Sequence, residues 1–121
     1  MQTISFELQS NIARRVEKYM QLFGSKEIMF DKFIEYHINR IKREIALMQI
    51  DIEQYEKKHN MSSDEFFIQF ENGQLGDSKD FTLWAGIYEM QMSAKKKLQE
   101  LIWWSPIIFR KLKAALTVIP T

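Results

Sequence analysis

The chain of 121 residues contains no cysteine, only two prolines and only four glycines. The absence of cysteine excludes a disulfide framework, thiolate catalysis and cysteine-ligated zinc or iron–sulfur sites. No run of residues approaches the ~18–20 consecutive apolar residues that cross a bilayer. The first residues also lack the charged and apolar regions of a secretion signal. We therefore expect a cytoplasmic protein of one domain, or of a small domain with an appendage.

Histidine is scarce as well, because His37 and His59 are the only two. The sequence contains no His-x-x-x-His pair, Gly-x-Ser-x-Gly elbow or Walker loop. The acid pair Asp64-Glu65 falls at the start of a predicted helix, where favourable interaction with the helix dipole explains it. The sequence therefore predicts a protein that is not an enzyme and that binds no metal or cofactor.

The net charge of +1 hides a strong asymmetry along the chain. Residues 1–48 carry a charge of +2, residues 49–92 carry −6 and residues 93–121 carry +5. One interpretation is that these segments meet different partners. The other is that the acidic middle and the basic tail pair with each other inside the fold.

Residues 3–8 show the period of two that is typical of a half-buried β-strand. Ile4, Phe6 and Leu8 alternate with polar residues, and no second strand pattern follows in the chain. Because an isolated strand leaves its backbone groups unpaired, we expect the same strand of a second copy to pair with it across a two-fold axis.

Helical patterns cover the rest of the chain. A first helix is predicted over residues 11–23, with Ser10 as its cap and Gly24 as its end. Ser25 caps a second helix that continues to about Asn60 without glycine or proline. The apolar residues of this helix follow an a/d heptad spacing, which leaves a coiled coil and an intramolecular bundle as alternatives. The seam consists of Ile34, Ile38, Ile41, Ile45, Met48, Ile52 and Tyr55.

Three further helices are predicted in the second half. Ser62 or Ser63 caps a short helix that ends at Gly73, and a turn-rich loop follows over residues 72–77. A helix over about 79–104 carries two apolar stripes, which predicts contact with two neighbours. Residues 106–116 are predicted to form a last short helix, which docks on the acidic middle segment or on the partner in one interpretation and lies on a membrane surface in the other. The second stripe of the long helix contains Leu83, Ile87, Met90, Ala94, Leu98 and Leu101.

The first 45 residues resemble the ribbon-helix-helix family of DNA-binding proteins. The resemblance rests on the segments ISFEL and NIARRVEKYMQLF and on Gly24-Ser25 before the second helix. It implies a mainly α fold in which one strand per chain pairs in a homodimer and enters the major groove. By this likeness Thr3, Ser5 and Glu7 face DNA, and the helix start at Ser25 and Lys26 holds a phosphate.

The segment from Tyr55 to Gln91 resembles the C-terminal part of small bacterial and archaeal antitoxins. The likeness lies in the order of a Met-Ser-Ser-x-Glu-Phe helix, a Leu-Gly-Asp turn and a Trp-containing helix. It implies that residues 46–121 bind and neutralise a cognate toxin, often a ribonuclease. It also implies that residues 1–45 repress the operon that encodes both proteins.

An acidic surface with aromatic anchors would complement the basic cleft of a ribonuclease. The alternative is that the aromatic residues form a core and that the protein is a structural helical dimer or interaction scaffold without DNA binding. The predicted partner-binding residues are Asp64, Glu65, Phe66, Phe67, Phe70, Glu71, Asp77, Asp80, Phe81, Trp84 and Tyr88.

Overall fold

A computed structural model describes residues 1–103 of the chain, which form four α-helices joined by short connections. The helices divide into an N-terminal unit, Met1–Tyr36, and a C-terminal unit that begins at His37. The predicted last helix over 106–116, with its docking or membrane role, lies outside the described residues. The helices are α1 (Ser10–Phe23), α2 (Lys26–His59), α3 (Ser63–Glu71) and α4 (Lys79–Trp103).

The predicted N-terminal strand and the ribbon-helix-helix fold are wrong. Residues 1–9 adopt no regular structure, and the chain has no strand or sheet anywhere between residues 1 and 103. Ile4 and Phe6 are 79% and 59% exposed, so their alternation does not mark a buried face. A period of two places side chains on alternating sides of an extended backbone, but it supplies no hydrogen-bonding neighbour.

The break between α1 and α2 follows its local sequence. Gly24 adopts a left-handed conformation with φ of 85°, and its N–H donates to the Met20 carbonyl at 3.0 Å. The Ser25 hydroxyl accepts from the Ile28 N–H at 3.1 Å and so caps α2, as predicted. The predicted cap of α1 is wrong, because Ser10 is already the first helical residue and Gln9 before it makes no side-chain cap.

The end of α2 uses asparagine where α1 uses glycine. Asn60 has a φ of 50°, in the left-handed region that asparagine tolerates better than most residues. The Met61 N–H then donates to the Glu56 carbonyl at 3.2 Å, which satisfies one of the last carbonyls of the helix. Ser62 follows as the cap of α3, and its hydroxyl accepts from the Glu65 N–H at 3.3 Å.

The C-terminal part of α2 packs against α4 of the same chain. Ile38 and Ile52 on the predicted seam are buried. From α4, the Gln91 side-chain amide donates to the Ile45 carbonyl at 3.3 Å and to the Gln49 side-chain oxygen at 2.8 Å. Between Ile38 and Ile52 the seam therefore packs within an intramolecular helical bundle. None of the helices in residues 1–103 has a stretch long and apolar enough to span a bilayer.

We expect the Ser62→Ala variant to unfold more easily than the wild type, because α3 loses its N-cap acceptor. The expected loss in the free energy of unfolding is about 1 kcal/mol, as for other serine caps. Urea unfolding followed by circular dichroism measures it. Ser62→Asp is the matched control, since its carboxylate keeps an acceptor in place; equal loss in both variants would contradict the capping role.

Candidate interaction surfaces

The centre of the C-terminal unit is a stack of aromatic rings around Trp84. Trp84 and Phe66 are fully buried, and their ring centroids lie 3.7 Å apart with planes inclined by only 5°. Tyr55 of α2 lies parallel to Trp84 at 5.8 Å, and His59 does so at 5.7 Å. Phe66 and Trp84 have no surface to offer a partner, so these two predicted partner-binding residues belong to the core.

The other predicted aromatic residues lie around this core and are only partly buried. Phe67, Phe70 and Phe81 pack against the cluster, and Phe67 also contacts the ring of Tyr88 at 4.9 Å. Their main role is to cover Phe66 and Trp84. These side chains are only partly exposed, so the aromatic surface that could contact a partner is smaller than the sequence predicts.

Hydrogen bonds fix the orientation of the buried tryptophan. The Trp84 indole N–H donates to the Ser63 hydroxyl at 2.9 Å, and both side chains are buried. The Ser63 backbone N–H donates to the Glu56 carboxylate at 2.8 Å. Because an unpaired buried donor would cost roughly 1–3 kcal/mol, these contacts specify one position for α3 between α2 and α4.

A charged contact joins the end of α2 to the start of α4. The Asp80 carboxylate lies 2.6 Å from the Lys58 ammonium and 3.1 Å from His59 Nε2. The hydrogen bonds from Lys58 and then from His59 lower the pKa of Asp80, and the same contact raises the pKa of Lys58. Each charge also suits its helix end, since cations favour a C-terminus and anions an N-terminus.

A second polar contact links α3 to α4. The Tyr88 hydroxyl donates to the Asp64 carboxylate at 2.5 Å. This hydrogen bond is the largest cause, followed by burial, that raises the pKa of Tyr88 from 10.0 to about 12. Asp64 and Asp80 therefore form internal contacts, whereas the predicted partner-binding acids Glu65, Glu71 and Asp77 are exposed.

The acidic middle and the basic tail do not neutralise each other in the part of the chain that the structure describes. No ion pair within residues 1–103 joins an acid of residues 49–92 to a lysine of α4 beyond residue 92. Lys95, Lys96 and Lys97 are exposed on α4. The C-terminal unit therefore has separate acidic and basic surfaces.

The predicted DNA-binding residues do not form one surface. Thr3, Ser5 and Glu7 are exposed in the irregular segment before α1, without a paired ribbon to align them. The Ser25 hydroxyl is used by the Ile28 N–H, and Lys26 is exposed at the start of α2. The predicted DNA-contacting surface requires a paired strand, and residues 1–103 contain no strand.

An uncovered apolar surface lies on α1 instead. Ile12, Val16, Tyr19 and Phe23 share one side of the helix at spacings of three and four residues, and we call this side the α1 face. None of its residues is buried. The sequence pattern predicts the apolar side, but only the structure shows that Ile12, Tyr19 and Phe23 stay 41–56% exposed.

A groove runs between α2 and α4 in the C-terminal unit. This α2–α4 groove has a volume of about 410 Å³. Its apolar lining includes Met48 of α2 and Met90 of α4, and Lys97 is one of its charged residues. The predicted contact of α4 with two neighbours is present: Met90 and Ala94 of the second stripe line the groove with α2. Trp84, on another side of the helix, stacks on Phe66 of α3.

Comparison with known proteins identifies no relative: no family model, no curated protein and no solved structure matches the chain. The antitoxin resemblance thus stays a prediction. No three histidine, aspartate or glutamate side chains in residues 1–103 lie close enough together to hold a metal ion.

We expect the Tyr88 hydroxyl to remain protonated in the folded protein until the pH approaches about 12. Because the folded-state pKa exceeds the unfolded value, the stability that the Asp64 contact contributes is fully present below pH 10. It is lost as the pH rises through about 12. The difference in tyrosinate absorbance between the wild type and Tyr88→Phe isolates this titration. Asp64→Asn should move it to lower pH, and an unchanged midpoint in that variant would contradict the assignment.

Proposed function

We propose that this chain is an interaction protein, not an enzyme, and that it associates with a second copy of itself through its N-terminal unit. The observation that carries the proposal is that Met1–Tyr36 contains an amphipathic helix but no buried residue. A helix of this kind gains most of its stability by burying its apolar face against another element. Units of fewer than ~40 residues usually need such external support to fold.

The N-terminal unit exposes, in total, as much apolar area as one partner contributes to a standard dimer interface. A fully exposed large side chain has roughly 200 Å² of accessible surface. Multiplied by the observed exposed fractions of nine residues of the unit, this gives on the order of 1,000 Å² of accessible surface. One partner in a standard interface contributes about 800 Å². These residues are Ile4, Phe6, Leu8, Ile12, Tyr19, Leu22, Phe23, Ile28 and Phe30.

The charge of the N-terminal unit also suits a second copy. Residues 1–36 contain five lysines and arginines and five aspartates and glutamates, so the unit is neutral. Two neutral copies do not repel each other, and their opposite charges can pair at the rim of an interface. A polyanion such as DNA would gain little from a neutral surface. Operator binding through Thr3, Ser5 and Glu7 therefore forms no part of the proposal.

We expect the full chain to be a dimer and the Ile12→Glu variant to dissociate. Removing one isoleucine from an interface costs roughly 1.5–3 kcal/mol. Because a two-fold interface contains the position twice, the dissociation constant should rise about a hundredfold or more. Sedimentation equilibrium measures it, with near-ultraviolet circular dichroism of the buried Trp84 to verify that the C-terminal unit stays folded.

Gln21→Glu is the matched control for this experiment. It places the same carboxylate on α1 but half a turn away from Ile12 around the helix, outside the α1 face. The control should keep the dimer. A monomeric wild type, or equal dissociation of the two variants, would overturn the proposal, and Tyr19→Glu provides a second test of the same face.

Toxin neutralisation stays a prediction, as does a cytoplasmic location. Toxin neutralisation is supported by the acids Glu65, Glu71 and Asp77, which remain exposed in and after α3. We expect a small basic protein encoded beside this chain to be toxic when expressed alone and harmless when co-expressed with it. Charge reversal of the three acids to lysine should abolish rescue, and rescue by that variant would remove the acidic surface from the mechanism.

A further inference from the structure

One side of α4 has the spacing of a helix–helix seam, and Ala94 within it is already buried. Leu83, Ile87, Met90, Ala94, Lys97 and Leu101 follow one another at intervals of 4, 3, 4, 3 and 4 residues. Leu83, Met90 and Leu101 remain exposed, and Met90 is 63% exposed. The seam extends over five turns, about 27 Å at 1.5 Å per residue, which is the length of a docked helix.

The α2–α4 groove lies beside the middle of this seam, between Met90 and Lys97. Ile41 and Met48 from α2 line the groove together with Met90 and Ala94 from α4. Methionine side chains are flexible and polarisable, so they adapt to the side chains of a second helix. Surfaces rich in methionine bind amphipathic helices in this way.

The charge around the groove is positive. Arg40 lies 3.5 Å from Glu44, so these two lining residues form an ion pair. Lys97 also lines the groove, and no carboxylate within residues 1–103 lies within ion-pair distance of its ammonium group. An acidic occupant would therefore be attracted, and a basic one repelled.

We propose that the α2–α4 groove binds an amphipathic α-helix of a partner protein, with apolar side chains against Met48 and Met90 and an acidic side chain paired with Lys97. A single lysine within an apolar seam fixes the register of such a pair, because it demands one complementary charge. The apolar lining distinguishes this partner from nucleic acid, which would use the lysines but leave the methionines uncovered. Residues of the C-terminal unit alone line the groove, so the inference does not rest on self-association through the N-terminal unit.

Two synthetic amphipathic helical peptides with the same apolar face test whether the partner's charge is negative or positive. One carries glutamates on its flanks and the other carries lysines at the same positions. We expect the glutamate peptide to bind the full-length chain at least tenfold more tightly, measured by fluorescence anisotropy, with weaker binding as salt is raised. Failure of both peptides to bind, or tighter binding of the lysine peptide, overturns the proposal.

Matched variants on α4 locate the binding surface. Met90→Glu should weaken binding of the glutamate peptide at least tenfold, whereas Met92→Glu should not. Met92 is also exposed, at 51%, but it lies on another side of the helix. Lys97→Glu should likewise weaken binding more than Lys96→Glu does. Equal effects within either pair would mean that the groove is not the binding surface.

Two other occupants give distinct results. If the groove accepts a second copy of the chain, Met90→Glu lowers the molar mass in sedimentation while Met92→Glu does not, and the proposal fails. If it accepts nucleic acid, duplex DNA or RNA binds in a manner that depends on Lys97 but not on Met90, and the proposal also fails. Ile12→Glu should leave peptide binding unchanged, so failure of the dimer proposal is distinguishable from failure of this one.

Discussion

The burial of Trp84 is the interaction on which the C-terminal unit depends. Its ring stacks on Phe66 of α3 and lies parallel to Tyr55 and His59 of α2, so a single side chain brings three helices together. Stacked aromatic pairs contribute about 0.5–1.5 kcal/mol beyond the burial of their area. The hydrogen bond from the indole to Ser63 adds direction, because it satisfies the one polar atom of the ring in only one orientation.

The N-terminal unit has no comparable centre, and this difference explains why association is assigned to it. The C-terminal unit buries its own aromatic residues between α2, α3 and α4, whereas Met1–Tyr36 buries none of its side chains. A helix pair of that length has too little interior to shelter large apolar residues from water. The same residues can be sheltered between two copies, where each surface covers the other.

Charge divides the C-terminal unit further. The exposed acids Glu65, Glu71 and Asp77 lie in α3 and the loop after it, whereas Lys97 lies farther along α4 and lines the groove. No ion pair within residues 1–103 joins these acids to Lys97. The predicted toxin and the proposed acidic helix would therefore contact different surfaces of this unit.

Local sequence determined the helices and their ends. Gly24, Ser25 and Ser62 act through contacts within four residues, so their effects can be predicted without knowledge of the fold. The alternation of Ile4, Phe6 and Leu8 was misleading, because a strand exists only when a neighbour completes its hydrogen bonds, and no periodicity supplies that neighbour. Only the tertiary structure decided that Phe66 and Trp84 are core while Met90 and the α1 face stay exposed. Helical spacing gives aromatic and aliphatic residues the same pattern whether an element of the same chain covers them or a partner does.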